Sequence, residues 1–165
     1  MTLIVREPHL IDIPLLANSA YAAWVEGIKP YLSRSEISKI DEVEFSYFIR
    51  LNLNNILGAY YRLVPVGYVA TEHGDNYISD CWVDPLYQGL GIGGTLLSEF
   101  LKRICGQGYD YAYLKVYKQN DRAINFYQSL GFEIEIQSGK LFDGQWEQSK
   151  RVTMVKRFKS DFDVL

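Results

Sequence analysis

Val83-Asp84-Pro85-Leu86-Tyr87-Gln88-Gly89-Leu90-Gly91-Ile92-Gly93-Gly94 joins two runs of different periodicity. Upstream, Tyr77 to Val83 is apolar and β-rich. Downstream, Ile92, Leu96, Leu97, Phe100, Leu101 and Ile104 recur at the spacing of one helical face. Glycines at 89, 91, 93 and 94 therefore stand between a strand and the first turn of a helix. The N–H groups of a first turn have no acceptor within the helix. The helix dipole adds partial positive charge at the same spot. With no Cβ atoms in the way, an anion can approach these groups closely. The physical reading is a cradle for a pyrophosphate.

Two kinds of cradle compete with a plain glycine-rich turn. Gly89, Gly91 and Gly94 satisfy the dinucleotide pattern GxGxxG. That pattern opens a first βα unit and needs an acid near the end of the next strand to hold a ribose. Here it lies mid-chain, and the next strand candidate, Tyr111 to Tyr117, runs into Lys118-Gln119 with no acid. The other reading is Gln88-x-x-Gly91-x-Gly93, following the apolar-Asp-Pro step Val83-Asp84-Pro85. This resembles the acyl-CoA-binding loop of the GNAT superfamily of N-acetyltransferases.

A second segment makes that resemblance specific. Asn120, Ala123, Ile124, Phe126, Tyr127, Gly131 and Phe132 form Asn-x-x-Ala-Ile-x-Phe-Tyr-x-x-x-Gly-Phe. The pattern is similar to the other signature of the superfamily, a helix after the fifth strand. Its own periodicity agrees, with Ala123, Phe126, Tyr127 and Leu130 on one face and Gly131 placed to end the helix.

The rest of the chain fits the same order. Leu3 to Val5 reads as a short strand. Asp12 can cap a helix bearing Leu16, Ala20, Ala23 and Trp24 on one side, with Pro14 in its first turn and Gly27 at its end. A second helix is predicted over Glu36 to Leu51, with Ile37, Ile40, Val43, Tyr47, Phe48 and Leu51 on one side. Ile56 to Tyr61, Val64 to Thr71 and Tyr77 to Val83 are strands whose short links require antiparallel hairpins. The helix from Ile92 ends at Gly106-Gln107-Gly108. Tyr111 to Tyr117, reached by a helical crossover, should lie parallel to Tyr77–Val83. Phe132 to Gln137 and Arg151 to Phe158 are the last strands, flanking a loop or hairpin tip over Ser138 to Gln148. The tail from Lys159 is expected to be loosely held.

Composition bounds the function. The 165 residues suit one domain, 1–165, and with 48% hydrophobic and 15% aromatic residues they can bury a core. A net charge of −3 offers no basic face for nucleic acid. Cys81, Cys105, His9 and His73 show no metal or disulfide spacing. No apolar run approaches membrane-spanning length, and no signal peptide is read at Met1, so a cytoplasmic protein is expected.

The resemblance implies an α/β (α+β) fold. Its mixed, mostly antiparallel sheet is splayed between the fourth and fifth strands and flanked by about four helices. It implies acetyl-CoA as co-substrate, with no metal. The pantetheine arm would pair with the backbone of Cys81, Trp82 and Val83. The pyrophosphate would sit on the segment Gln88, Gly89, Leu90, Gly91, Ile92, Gly93, Gly94 and Thr95. Asn120 and Ala123 would also contact the cofactor, Asn120 doubling as a helix cap. The reaction would be direct attack of an amine on the thioester, with Tyr127 as general acid for the leaving thiolate.

The base departs from the family's pattern. Where many members carry Glu at the start of the fourth strand, or within a Leu-Glu-Val step in the fifth, this chain has Tyr77 and Lys115. Asp80 is the nearest acid on the central strand; a structural acid or a water relay are the alternatives. Tyr31 and Glu44 are further candidates for facing a substrate, with Glu72 a more distant acid. Without a base, the chain would instead be a non-catalytic acyl-CoA-binding sensor or interaction module. The acceptor is left open among peptide and small-molecule amines, and a homodimer is common among members of the superfamily.

Overall fold

Regular alternation of apolar and polar residues builds two antiparallel sheets that meet at a single point. The computed structural model describes residues 2–135 and 150–159. The first sheet has the order β1 (Leu3–Arg6), β2 (Ile56–Tyr61), β3 (Val64–Thr71), β4 (Ile78–Val83), every neighbour antiparallel. The second has the order β5 (Tyr111–Tyr117), β7 (Arg151–Arg157), β6 (Glu133–Ile134). Between β4 and β5 the contact is one parallel bridge, Tyr77 to Tyr113. The direction and the splay predicted from sequence are both present.

Five α-helices cover these sheets among the described residues: α1 (Ile13–Gly27), α2 (Arg34–Ile37), α3 (Glu42–Leu51), α4 (Ile92–Gly106) and α5 (Asp121–Ser129). α4 lies on one side of the sheets. Its Ile92, Leu96, Leu97, Phe100 and Ile104 pack with Ala112, Leu114 and Val116 of β5 and Val69 of β3. α1 and α3 cover the other face of the first sheet, burying Leu16, Ala20, Trp24 and Ile49 against Ile56, Tyr68 and Ala70. Each fully buried Leu, Ile or Phe contributes ~1.5–3 kcal/mol of transfer free energy. The β2–β3 hairpin turns on Arg62 and Leu63, both at positive φ, as two-residue turns require.

Three local expectations need correction. The helix expected over Glu36 to Leu51 is two. Ser33 caps α2 in a capping box with Glu36, and Asp41 starts α3 by accepting from the N–H groups of Val43 and Glu44. The chain is broken between them, so the buried face of α3 is Phe45 and Ile49. Val43, Tyr47 and Leu51, expected inside, are 69%, 60% and 64% exposed. Asp12 stands at the N-cap position of α1 but its carboxylate makes no cap bond there. It accepts instead from the Tyr60 hydroxyl at 2.7 Å, Arg6 at 3.1 Å and the His9 N–H at 2.8 Å. The strand expected from Phe132 to Gln137 is short, Glu133–Ile134; the end of that stretch, the loop Ser138 to Gln148 and the tail from 160 lie outside the described residues.

Candidate functional site

The glycine loop is held from both ends. After β4, the Asp84 N–H donates to Val66 O at 2.8 Å, and the Asp84 carboxylate accepts from the Leu86 N–H at 2.9 Å and the Ser19 hydroxyl at 3.2 Å. Gln88 then folds back: its Nε2 donates to Val83 O at 2.8 Å, and its Oε1 accepts from Arg122 Nη2 at 2.6 Å. Gly89 and Gly91 take φ of 76° and 78°, the left-handed region that side chains rarely adopt. Gly93 is required for space: a Cβ there would lie 3.3 Å from the Phe126 ring. The result is a helix start whose backbone faces outward with no side chain over it.

That cradle forms one end of a cleft of about 580 Å³ running into the gap between β4 and β5. Ser79 to Val83 form one wall, Leu114 to Tyr117 with Phe126 and Tyr127 the other, and the end of α1 (Ala23, Trp24, Gly27) closes a side. The closed end is pinned by Tyr77 stacked on Tyr113, with ring centroids 5.0 Å apart. Asn120 caps α5 by accepting from the Ala123 N–H at 3.1 Å, and its Nδ2 donates to Gly27 O at 3.4 Å.

β4 is bulged in the middle of its wall. Ala70 pairs with Asp80 and Thr71 with Ile78, which leaves Ser79 as the extra residue. Ile78 and Cys81 consequently share the α4 side, whereas Trp82 lies against the α1–α3 core. Asp80 points the same way as Trp82 and accepts from its Nε1 at 2.8 Å. Burial pushes the Asp80 carboxyl up, against the lowering pull of the Trp82 and Ser79 hydrogen bonds. On the opposite face the Tyr127 hydroxyl meets the Cys81 thiol. Burial raises the Tyr127 phenol well above its ordinary value, and the Cys81 thiol is pushed up to about 12. The phenol thus holds its proton and the thiol is inert. Tyr68, fully buried beside this pair of strands, has a hydroxyl with no hydrogen-bond partner among the described residues.

Of the residues singled out from sequence, Tyr127, Asp80, Cys81, Trp82, Val83, Gln88, Gly89, Gly91, Ile92, Gly93, Gly94, Asn120 and Ala123 all line this cleft. Leu90 and Thr95 do not: Leu90 is 46% exposed beside it, and the Thr95 hydroxyl is turned to Gly91 O at 3.1 Å. Tyr31 stacks on Tyr117 at the rim, centroids 5.6 Å apart, while Glu44 is exposed in the first turn of α3 and does not line the cleft. Sequence reasoning passed over Arg122, Lys115 as a lining residue, Arg151 and Phe126. The outward phase of Lys115 on β5 was readable from strand alternation. Arg151 and Arg122 come into place only through tertiary pairing.

The comparisons with known proteins agree with this geometry. Residues 20–132 match the Acetyltransferase (GNAT) family. N-alpha-acetyltransferase RimI of Mycobacterium tuberculosis is 47% identical over 51 residues, 31% of this chain and 30% of that protein. N-alpha-acetyltransferase 50 of Danio rerio is 38% identical over 84 residues, 46% of this chain and 49% of that protein. Each match spans less than half of the relative's length. Among solved structures, PaiA N-acetyltransferase from Thermoplasma acidophilum in complex with coenzyme A superposes with a TM-score of 0.74 at 22% identity, covering 96% of this chain and 100% of that one. At that identity the likeness is one of fold. With more than half of its length matching the family, this chain belongs to the GNAT family of acetyltransferases.

Proposed function

We propose that the protein is an acetyl-CoA-dependent N-acetyltransferase acting on the primary amine of a small molecule or peptide. The observation that carries this reading is the bracketing of bulged β4. A protonated phenol, Tyr127, lies on one face and a buried carboxyl, Asp80, on the other, at the bottom of a cleft that ends in the glycine cradle. The residues present suit the co-substrate: the first turn of α4 offers N–H groups that a Cβ at Gly93 or a regular φ at Gly91 would obstruct. The edge of β4 facing β5 has no ladder beyond the Tyr77 bridge, so its backbone is available to an extended ligand.

When bound, acetyl-CoA supplies the thioester that is cleaved and a leaving group that needs a proton. Tyr127 Oη holds that proton, and its high pKa keeps it in place at neutral pH. Asp80 supplies the carboxylate that takes a proton from the incoming ammonium; its raised pKa brings it closer to the working range of a base. Arg122, held by Gln88, places a fixed cation beside the cradle.

Gly94→Glu tests the reading. Gly94 is helical with only Leu130 near a new Cβ, at 4.0 Å, so the fold should survive while a carboxylate enters the cradle. Calorimetry should show acetyl-CoA affinity reduced by ~100-fold or more, since a like charge beside a phosphate is costly. Unchanged affinity in the folded variant refutes the cradle. Acetyl-CoA binding by the wild type without thiol release for any amine selects the binding-module reading instead.

A further inference from the structure

Resting on the acetyltransferase reading, we propose that the acceptor is a small zwitterion: an amine with a carboxylate next to it, of the α-amino-acid type. Its amine would face Asp80, and its carboxylate Lys115 and Arg151. Four charged side chains line the cleft among the described residues: Asp80, Lys115, Arg122 and Arg151. Arg122 is engaged by Gln88 at the cradle end. The remaining three divide by wall. Asp80 stands on the β4 side, and the two cations stand together on the β5–β7 side.

Register explains the pairing. Tyr117 opposes Arg151, and Lys115 opposes Thr153. Residues two apart on a strand share a face, and opposed residues share it too. Lys115, Tyr117 and Arg151 therefore form one surface, opposite in phase to buried Leu114 and Val116. The Arg151 guanidinium lies 5.9 Å from the centre of the Tyr117 ring, and Tyr31 stacks on the same residue. Aromatic packing thus fixes the direction of this wall.

The field in the gap follows from this layout. Apolar Trp24, Ile28, Trp82 and Val116 line the space between the charges, so solvent screens them less than on an open surface. An ammonium is drawn to the Asp80 side, where the carbonyl end of α1 at Gly27 adds partial negative charge. A second cation on the acceptor would meet Lys115 and Arg151; an anion there would be met by two donors. Polyamines and lysine-rich peptides are disfavoured by the same charges.

The test measures kcat/KM for the common α-amino acids, each beside its α-amide, its decarboxylated amine and a peptide beginning with that residue. The expected result is a preference for the free acid over the amide of about tenfold or more, the loss of one charge-assisted hydrogen bond. Lys115→Glu should abolish or invert that preference through KM, while acetyl-CoA affinity measured by calorimetry and the melting temperature stay as in the wild type. Lys115→Arg should retain the preference. If thiol release is intact but amides, polyamines or peptides match or exceed the free acids, the zwitterion is overturned and the acetyltransferase reading stands. A preference for acids that survives Lys115→Glu overturns the role of this wall. Absence of thiol release with every amine overturns both readings.

Discussion

Tyr127→Phe separates catalysis from packing because the structure predicts different sizes for the two effects. The substitution keeps the ring, which touches Phe126 and Phe132 with centroids 5.1 Å and 5.8 Å away. Only the hydroxyl and its bond to Cys81 are lost. A single neutral hydrogen bond contributes ~0.5–1.5 kcal/mol net, and a thiol is a weak partner, so the stability change should sit at or below the low end. The loss of a positioned acid costs ~10²–10⁴ in rate, which is ~2.7–5.4 kcal/mol of barrier. The kinetic loss should therefore exceed the stability loss several-fold. Stopped-flow or steady-state thiol release should show the fall in kcat, with acetyl-CoA affinity by calorimetry nearly unchanged. Because burial holds the phenol protonated, the wild type should show no alkaline loss of activity from this group up to its ordinary pKa of ~10. A variant with wild-type kcat would refute the acid role and leave Tyr127 as a packing residue of α5.

Two further perturbations address the other ionisable groups. If Asp80 is the base, wild-type kcat/KM should fall as pH drops through a pKa above the ordinary carboxyl value. Asp80→Asn should remove that limb, lower activity by ~10²–10⁴ at neutral pH, and recover partly at high pH where the amine deprotonates unaided. A mild effect with an unshifted profile would favour a water relay. At Asp12, burial pushes the pKa up, but bonds from His9, Tyr60 and Arg6 outweigh it and hold the carboxyl below 3.8. This group stabilises the fold above its unfolded pKa, and the contribution is lost as pH falls through the depressed folded value. Tyr60→Phe should cost ~1.5–3 kcal/mol at pH 7 by denaturant melts, the value of a hydrogen bond to a charge, with the gap narrowing in acid. A gap that is constant with pH would show that the loss is one of packing.

The elements legible in the sequence were those with long, uninterrupted periodicity or a motif. α4 presents the six residues its spacing predicts, and β5 alternates Ala112, Leu114 and Val116 inward as read. The glycine loop was legible because it breaks two periodic runs at once. What failed failed locally. Ser33-x-x-Glu36 and Asp41 are two separate helix starts, and reading across them merged two helices and turned α3 to the wrong face. Asp12 has the chemistry of a cap, yet buried Tyr60, 48 residues away, competes for its oxygens. Side-chain type reveals what a residue can bond, and only the fold decides which partner is nearest. The same applies to the site. The positions of Asp80 and Tyr127 on opposite faces of β4 depend on a bulge at Ser79 that no residue type announces.

That bulge makes β4 a counter with one skipped step. In an unbroken strand Ile78 and Trp82, four apart, would point the same way; here they lie on opposite sides of the sheet. The chemistry at 80 to 82 therefore has its parity set by one residue that contributes no reacting group. Removing Ser79 would change no charge and delete one hydroxymethyl, yet it would restore even counting. Either the residues before the gap or those after it would then have to trade faces. If Ile78 keeps its place in the core, Asp80 turns toward α5 and Cys81 toward the acceptor. For this strand, length is as much a part of the site as sequence, and insertions or deletions within it are the changes that function should tolerate least.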